Sequence, residues 1–117
     1  MDILARLPLF SDGLDYLHGT GHGVGAYLNV HESPPGVGGG VGSSLPLLPG
    51  FIFSDEPGYY EKGAFGIRIE SLVLCKKAET QHKFHHPHYL EFENLTIVPF
   101  CRKLIAVELL SKDQVWQ

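Results

Sequence analysis

Three histidines in a glycine-rich stretch and two glutamates on apolar segments are the residues of this chain best suited to chemistry. His18, His22 and His31 fall within residues 18–31, and Glu56 and Glu70 lie on or beside apolar segments. A carboxylate in apolar surroundings is costly unless another group compensates its charge. Imidazole nitrogens and carboxylate oxygens together form the ligand sets of Mn, Zn, Co or Fe sites. Two interpretations stay open at this point: a metal site, or histidines and glutamates that are hydrogen-bonded and purely structural.

Other patterns resemble known sites but lack a residue that those sites need. His31 and Glu32 do not begin a zinc-protease HExxH motif, because Pro35 stands where the second histidine is required. The glycine run at 36–44 has neither the lysine nor the following helix of a phosphate-binding loop, and it predicts a flexible loop. The histidines of 85–88 are interrupted by a proline, which favours a solvated loop over a metal tract.

Length and composition predict a single small soluble domain spanning residues 1–117. The chain has 117 residues with 9 Lys+Arg against 13 Asp+Glu, a formal charge of -4. No apolar stretch approaches the ~20 residues of a membrane helix, and the start lacks the features of a secretory signal. The mild acidity does not suit a phosphate backbone. We therefore expect a cytoplasmic protein that binds neither membrane nor nucleic acid.

The elements that must position the histidines are short. Residues 2–10 have helical spacing with Asp2 as a possible cap, and Pro8 is expected to keep this helix short. The glycine-rich stretch that carries the histidines predicts a backbone that closely approaches another part of the chain. A strand is predicted around 26–30, and a loop is predicted over 33–50.

Strands are predicted for most of the remaining chain. Their β-branched and aromatic content favours strands over 51–56, 64–77 and 92–100. The long middle run is expected to bend at Gly66, and a turn is predicted between the first two runs. Residues 81–90 predict a polar connection, while 104–110 fits either a strand or a short helix.

Three motifs, in this order, resemble one enzyme family. They are HGTGHGVGAYLNVHE (18–32), FSDEPGYYEKGAFGIRIESLVL (53–74) and FENLTIVPF (92–100). They resemble the C-terminal part of the catalytic domain of Xaa-Pro aminopeptidases, in the pita-bread metallopeptidase superfamily, and are most similar to its eukaryotic cytosolic branch. The resemblance implies an α+β fold: the C-terminal half of a pita-bread domain, mainly curved antiparallel sheet.

The resemblance also implies a metal site. The family holds two divalent ions, typically Mn²⁺, with five ligands in the chain order Asp, Asp, His, Glu, Glu. On that pattern His22 is the histidine ligand, and Glu56 and Glu70 are the two glutamates. The family's aspartate pair has no match here, so we expect the chain to be a fragment, truncated at both ends.

Further roles follow from the same resemblance. His31 matches the histidine that hydrogen-bonds the scissile carbonyl, and His18 matches one that lines the substrate pocket. Glu56 is expected to carry a proton from water to the departing proline nitrogen. Arg68 shares a strand face with Glu70 and is expected either to orient the site or to form an ordinary ion pair.

The expected activity is release of the N-terminal residue that precedes a proline, with the isolated chain inactive. The substrates are peptides with proline at the second position, and a homodimer is expected from resemblance alone. Two alternatives remain: a fragment of a prolidase-type Xaa-Pro dipeptidase, or a non-catalytic pita-bread module that binds protein.

Overall fold

The computed structural model describes residues 1–38, 45–86 and 88–115. A five-stranded antiparallel sheet and a separate two-stranded hairpin follow one N-terminal helix. The elements are α1 (Asp2–Ser11), β1 (Gly21–Gly23), β2 (Glu32–Val37), β3 (Ile52–Asp55), β4 (Gly58–Glu61), β5 (Phe65–Arg68), β6 (Ser71–Ala78), β7 (Tyr89–Asn94), two 3₁₀ turns (Arg102–Leu104 and Val107–Leu109) and α2 (Lys112–Val115). Among these described residues no helix is long and apolar enough to cross a membrane.

Helix α1 is longer than the presence of Pro8 led us to expect. It spans ten residues with Pro8 inside, and Asp2 lies in its first turn and does not cap it. Pro8 cannot donate to the carbonyl of Leu4, four residues earlier. Because Leu4 is 70% exposed, water can satisfy that carbonyl, and the helix continues.

The prediction of a strand around 26–30 is wrong, because that segment is a turn. Tyr27 and Leu28 have left-handed backbone, with φ of 55° and 64°. The strand instead lies at β2, inside the segment predicted as loop, although it contains two prolines. β2 is the outermost strand in the sheet order β2-β1-β3-β6-β7, where a residue without an N–H is tolerated. Positions 39–44 of the predicted loop lie outside the described residues.

The long strand predicted over 64–77 is two strands in two different sheets. β5 pairs with β4, which occupies the predicted turn, while β6 pairs with β3 and β7. Gly66 is not a bend but sits opposite Tyr60 in the hairpin. A Cβ at Gly66 would lie 2.8 Å from the Tyr60 ring, so glycine leaves room for that ring.

The buried residues concentrate where α1, β1, β3 and β6 meet. Tyr16, Phe53 and Cys75 form the apolar core. The buried polar residues are Arg6, Thr20, Ser54 and Glu56. Toward the C-terminus β7 begins before the predicted strand and ends at Asn94. The segment 104–110 holds the end of one 3₁₀ turn and the whole of the next, separated by non-helical residues. The protected part of the molecule is therefore its N-terminal two-thirds.

Candidate metal centre

His22 and Glu56 are brought together by the pairing of β1 with β3. His22 is the central residue of β1, and Glu56 directly follows β3. His22 Nε2 lies 3.2 Å from Glu56 Oε1. His22 Nδ1 is 2.9 Å from the carbonyl oxygen of Gly23, which only accepts, so Nδ1 carries a proton. Such a contact orients the ring and leaves Nε2 as the nitrogen with a free lone pair.

The Glu56 carboxylate is buried and compensated on both oxygens. It is 7% exposed. Oε1 accepts a hydrogen bond from Ser54 Oγ at 2.8 Å, and Oε2 lies 3.1 Å from a guanidinium nitrogen of Arg68. Its backbone N–H donates to the carbonyl oxygen of Thr20 at 2.8 Å. The charge compensation that the sequence required is therefore present for Glu56.

Arg68 reaches beyond Glu56 to Tyr60, which sequence reasoning missed. Arg68 Nε donates to the Tyr60 hydroxyl at 2.8 Å, and this hydroxyl lies 2.8 Å from His18 Nε2. His18 Nδ1 is 2.8 Å from the Gly19 carbonyl oxygen, so Nε2 is free to accept from Tyr60. The hydrogen bonds therefore run from Arg68 through Tyr60 to His18. The sequence offered no local signal for this role of Tyr60, because a turn was predicted there and the β4–β5 pairing that places Tyr60 opposite Gly66 appears only in the structure.

His31 lies beside the His22–Glu56 pair. Its ring centroid is 4.3 Å from that of His22, with the planes tilted by 54°. The His31 residue is exposed, so its imidazole is accessible to a ligand in the adjoining cleft. Its role toward a substrate carbonyl stays a prediction.

Glu70 occupies a different setting from Glu56. It is exposed, in the two-residue gap where the chain passes from β5 to β6. The expectation that burial penalises its charge is wrong, because its position outside both sheets leaves it in water. Among the described residues no three histidine, cysteine, aspartate or glutamate side chains form a group able to hold a metal ion. The ligand role of Glu70 stays a prediction.

A shallow cleft gives access to these side chains. Its volume is about 340 Å³, and its lining includes His18, His22, Glu56 and Arg68 together with several glycines. Four of the predicted site residues thus border one cavity. Backbone without side chains forms much of the remaining wall, which lets a ligand approach the histidines closely.

The close contact of Gly21 with β3 explains why the residue before His22 is a glycine. A Cβ built at Gly21 would lie 1.9 Å from the backbone oxygen of Ser54, far inside any permissible contact. Only glycine lets β1 lie this close to β3. The close backbone approach expected from the glycine-rich motif is therefore real, and its partner is the strand leading to Glu56.

A buried arginine anchors the loop that leads to the histidines. Arg6 lies 2.9 Å from Asp2 Oδ2 and 2.7 Å from Asp15 Oδ1. It also donates to the carbonyl oxygens of Tyr16 at 2.6 Å and His18 at 2.8 Å. Hydrogen bonds from the Arg6 guanidinium hold the pKa of both aspartates below their usual range. Arg6 thereby joins α1 to the backbone of His18.

The chemistry of the donor set fits part of a metal site. An imidazole nitrogen and a carboxylate oxygen converge at an open cleft, and both are ligands for divalent transition metals. The hydrogen bond that His22 donates to Gly23, and those that Glu56 accepts from Ser54 and Arg68, are of the kind that orients such ligands.

Comparison with known proteins places this geometry in a family. The model of metallopeptidase family M24 matches residues 1–77, and a model of the C-terminal region of peptidase M24 matches residues 88–116. A probable Xaa-Pro aminopeptidase P of Botryotinia fuckeliana is 55% identical over 99% of this chain and 18% of its own length. One from Sclerotinia sclerotiorum is 57% identical over 97% of this chain and 19% of its own length.

A solved structure agrees with these relatives. It is the X-prolyl aminopeptidase of Caenorhabditis elegans, described as a cytosolic enzyme with a di-nuclear active site. It superposes with a TM-score of 0.84 at 39% identity, over 97% of this chain and 18% of its own. The chain thus spans about a fifth of the length of the relatives it matches. The likeness confirms the predicted fold, the C-terminal half of a pita-bread domain built mainly from antiparallel sheet. The chain belongs to metallopeptidase family M24.

Proposed function

We propose that this chain supplies part of the active site of an Xaa-Pro aminopeptidase. The observation that carries the proposal is the pairing of His22 Nε2 with Glu56 Oε1 at 3.2 Å beside an open cleft. Relatives named Xaa-Pro aminopeptidase P support it. They do not favour the alternatives of a prolidase-type dipeptidase or a non-catalytic module.

The proposed site takes two divalent metal ions, with manganese as the expected ion. His22, Glu56 and Glu70 are the proposed ligands from this chain. When bound, such ions act as Lewis acids and make water a nucleophile at neutral pH. The C. elegans enzyme is described as having a di-nuclear site, which supports two ions.

Glu56 is the proposed proton carrier. The bond before proline breaks only if the departing nitrogen gains a proton, and a carboxylate that first accepts the proton of water can deliver it. Oε1 faces His22 and Oε2 faces Arg68, so the carboxylate is held in one orientation. A fixed orientation suits a group that exchanges protons with two partners in turn.

The histidines are proposed to hold the substrate. Within a peptide, the proline nitrogen carries no N–H. A site that binds extended peptides through backbone hydrogen bonds therefore has no donor to bind at that position, and side chains must hold the substrate instead. His31, beside His22, is proposed to stabilise the charge that develops on the carbonyl oxygen. His18 is proposed to line the pocket, positioned through Tyr60 and Arg68. Peptides with proline at the second position are the proposed substrates, in the cytosol.

The test uses a chimera in which residues 1–117 replace the matching segment of the C. elegans enzyme. We expect metal-dependent hydrolysis of an Xaa-Pro peptide by the chimera. The 117-residue chain alone should be inactive, because two ions carry a charge of +4 while Glu56 and Glu70 supply -2. A folded, metal-loaded chimera without hydrolysis would contradict the proposal.

His31→Ala in the chimera separates substrate roles from metal roles. We expect kcat to fall by about 10²-fold or more, as for loss of a group that stabilises developing charge, with metal content unchanged. If metal analysis shows loss of ions as well, His31 supports the metal and the proposed role is wrong.

A further inference from the structure

The side chain of Ser54 links the two proposed ligands that the structure brings together. Ser54 lies on β3, two residues before Glu56, and is 1% exposed. The backbone N–H of His22 donates to Ser54 Oγ at 2.9 Å. Ser54 Oγ in turn donates to Glu56 Oε1 at 2.8 Å. One buried hydroxyl therefore bonds the backbone of one ligand residue and the carboxylate of the other.

The directions of these hydrogen bonds follow from the atoms involved. An amide N–H only donates, so the hydroxyl must accept from His22. The single hydroxyl proton then has two acceptors within reach, the carbonyl oxygen of His22 at 3.4 Å and the Glu56 carboxylate at 2.8 Å. The shorter bond to a charged acceptor is the stronger one.

We propose that Ser54 is a positioning residue that sets the separation and orientation of His22 and Glu56 for binding a divalent ion. This inference rests on the proposed function. The oxygen that Ser54 holds, Oε1, is the one that faces His22 Nε2. Close packing of Gly21 against the backbone of Ser54 keeps the hydroxyl in place.

Amide hydrogen exchange in the metal-free 117-residue chain gives the first test. Ser54→Ala removes the acceptor of the partly buried His22 N–H, so we expect the exchange rate of that amide to rise at least tenfold. The matched internal control is the amide of Cys75, which donates to the Phe51 carbonyl oxygen in the same sheet. An equal rise at both amides would indicate general destabilisation and would overturn the proposal, as would no rise at His22.

Binding of Mn²⁺ to the same chain gives the second test. The ion broadens NMR signals of nearby amides, so a titration yields a Kd even when binding is weak. We expect Ser54→Ala to raise this Kd about 10- to 100-fold, as for other residues that orient metal ligands. Ser54→Thr keeps the hydroxyl and should stay within about threefold of the unsubstituted chain.

A serine on the neighbouring strand provides the matched control variant. Ser71, on β6, lies opposite Asp55 in the sheet, and within the described residues its hydroxyl bonds none of the three proposed ligands. Ser71→Ala should leave both the His22 exchange rate and the Kd for Mn²⁺ unchanged. An unchanged Kd in Ser54→Ala, or failure of Ser54→Thr to restore binding, would overturn the Ser54 proposal. Absence of broadening around His22 in the unsubstituted chain would instead contradict the metal site, and the exchange experiment would still decide the role of Ser54.

Discussion

Two regions of the molecule each carry a glutamate that is predicted to be a metal ligand. The first region is the end of β3, and the second is the gap between β5 and β6. Glu56, at the first place, is 7% exposed and bonded through both carboxylate oxygens. Glu70, at the second, is exposed to solvent. The two residues look alike in the sequence, since each lies on or beside an apolar segment.

This difference shows that contacts with neighbouring residues, and not residue type alone, decide whether a glutamate side chain is held in a fixed orientation. The end of β3 is packed on one side by β1 and supported by Arg68 on the other. The β5–β6 gap joins two sheets; its backbone is held at Ile69, whose N–H donates to the Pro57 carbonyl oxygen at 3.0 Å, but among the described residues the Glu70 side chain has no hydrogen bond or ion pair. We therefore expect the Glu56 side of the site to be rigid in this chain and the Glu70 side to depend on further protein.

The largest expected effect comes from Glu56→Gln in the chimera. This change removes the charge of a proposed metal ligand and the proposed proton carrier together, so kcat should fall at least 10²-fold. Steady-state hydrolysis of an Xaa-Pro peptide measures it. More than about a tenth of the original kcat would contradict the role of Glu56, since proton transfer alone typically contributes 10²-fold or more.

Binding of Mn²⁺ to the 117-residue chain compares the two glutamates directly. We expect Glu56→Gln to weaken binding more than about tenfold and Glu70→Gln less than about threefold, because only Glu56 is held beside His22. Paramagnetic broadening measures both. Equal losses would show that Glu70 joins the site in solution and would remove the distinction.

Gly21→Ala tests whether the approach of β1 to β3 is as tight as the structure indicates. Its Cβ would overlap the backbone oxygen of Ser54 at 1.9 Å, so the strands must separate. We expect a loss of about 1–3 kcal/mol in the free energy of unfolding. Urea unfolding measures this, with Gly19→Ala as the control. A Cβ at Gly19 has its nearest contact at 3.4 Å, so a cost equal to that at Gly21 would contradict the explanation.

Arg6→Met tests how the loop that leads to the histidines is anchored. The change keeps much of the side-chain length but removes the hydrogen bonds to Asp2, Asp15 and two carbonyl oxygens. Because the Asp15 side chain is 46% exposed, water replaces part of the loss, and we expect about 2 kcal/mol of destabilisation. Arg102→Met, at an exposed 3₁₀ turn, should change stability little. Equal effects would show that the buried network adds nothing.

The smallest expected effect is a pH dependence that Arg6 creates. Arg6 lowers the pKa of Asp2 and of Asp15 in the folded state, while in the unfolded chain both titrate near pH 4. Their contribution to stability is therefore present above about pH 4 and is lost as pH falls through the lower folded values. Urea unfolding from pH 6 to pH 2 should show a steeper loss in the original chain than in Arg6→Met. Parallel curves would contradict this linkage.

Much of the fold was predictable from local patterns. Helix α1, the strands around β3 and β6, and the close backbone approach at the glycines follow from residue spacing and from the steric properties of glycine. The motifs around His22 and Glu56 were sufficient to indicate the family. The helix, the strands and the motifs were accessible because each depends on residues close together in the chain, whereas the glycines indicated a close approach but not that its partner is Ser54.

The prediction failed wherever pairing between distant segments decided the outcome. Strand propensity favoured 26–30 over β2, yet the place at the sheet edge made the prolines of β2 acceptable. One apolar run became β5 and β6 because its halves pair with different strands. Local sequence carries no information on which strand lies opposite.

The sequence by itself determined which chemical groups are available: the imidazoles, the two glutamates and Arg68. Only the tertiary structure decided that Glu56 is buried beside His22, that Glu70 is exposed, and that Ser54 and Tyr60 connect the site. A serine or a tyrosine has the same local pattern whether its hydroxyl meets water or a buried carboxylate. The distinction depends on hydrogen bonds between residues up to 42 positions apart, and those bonds exist only once the strands have paired.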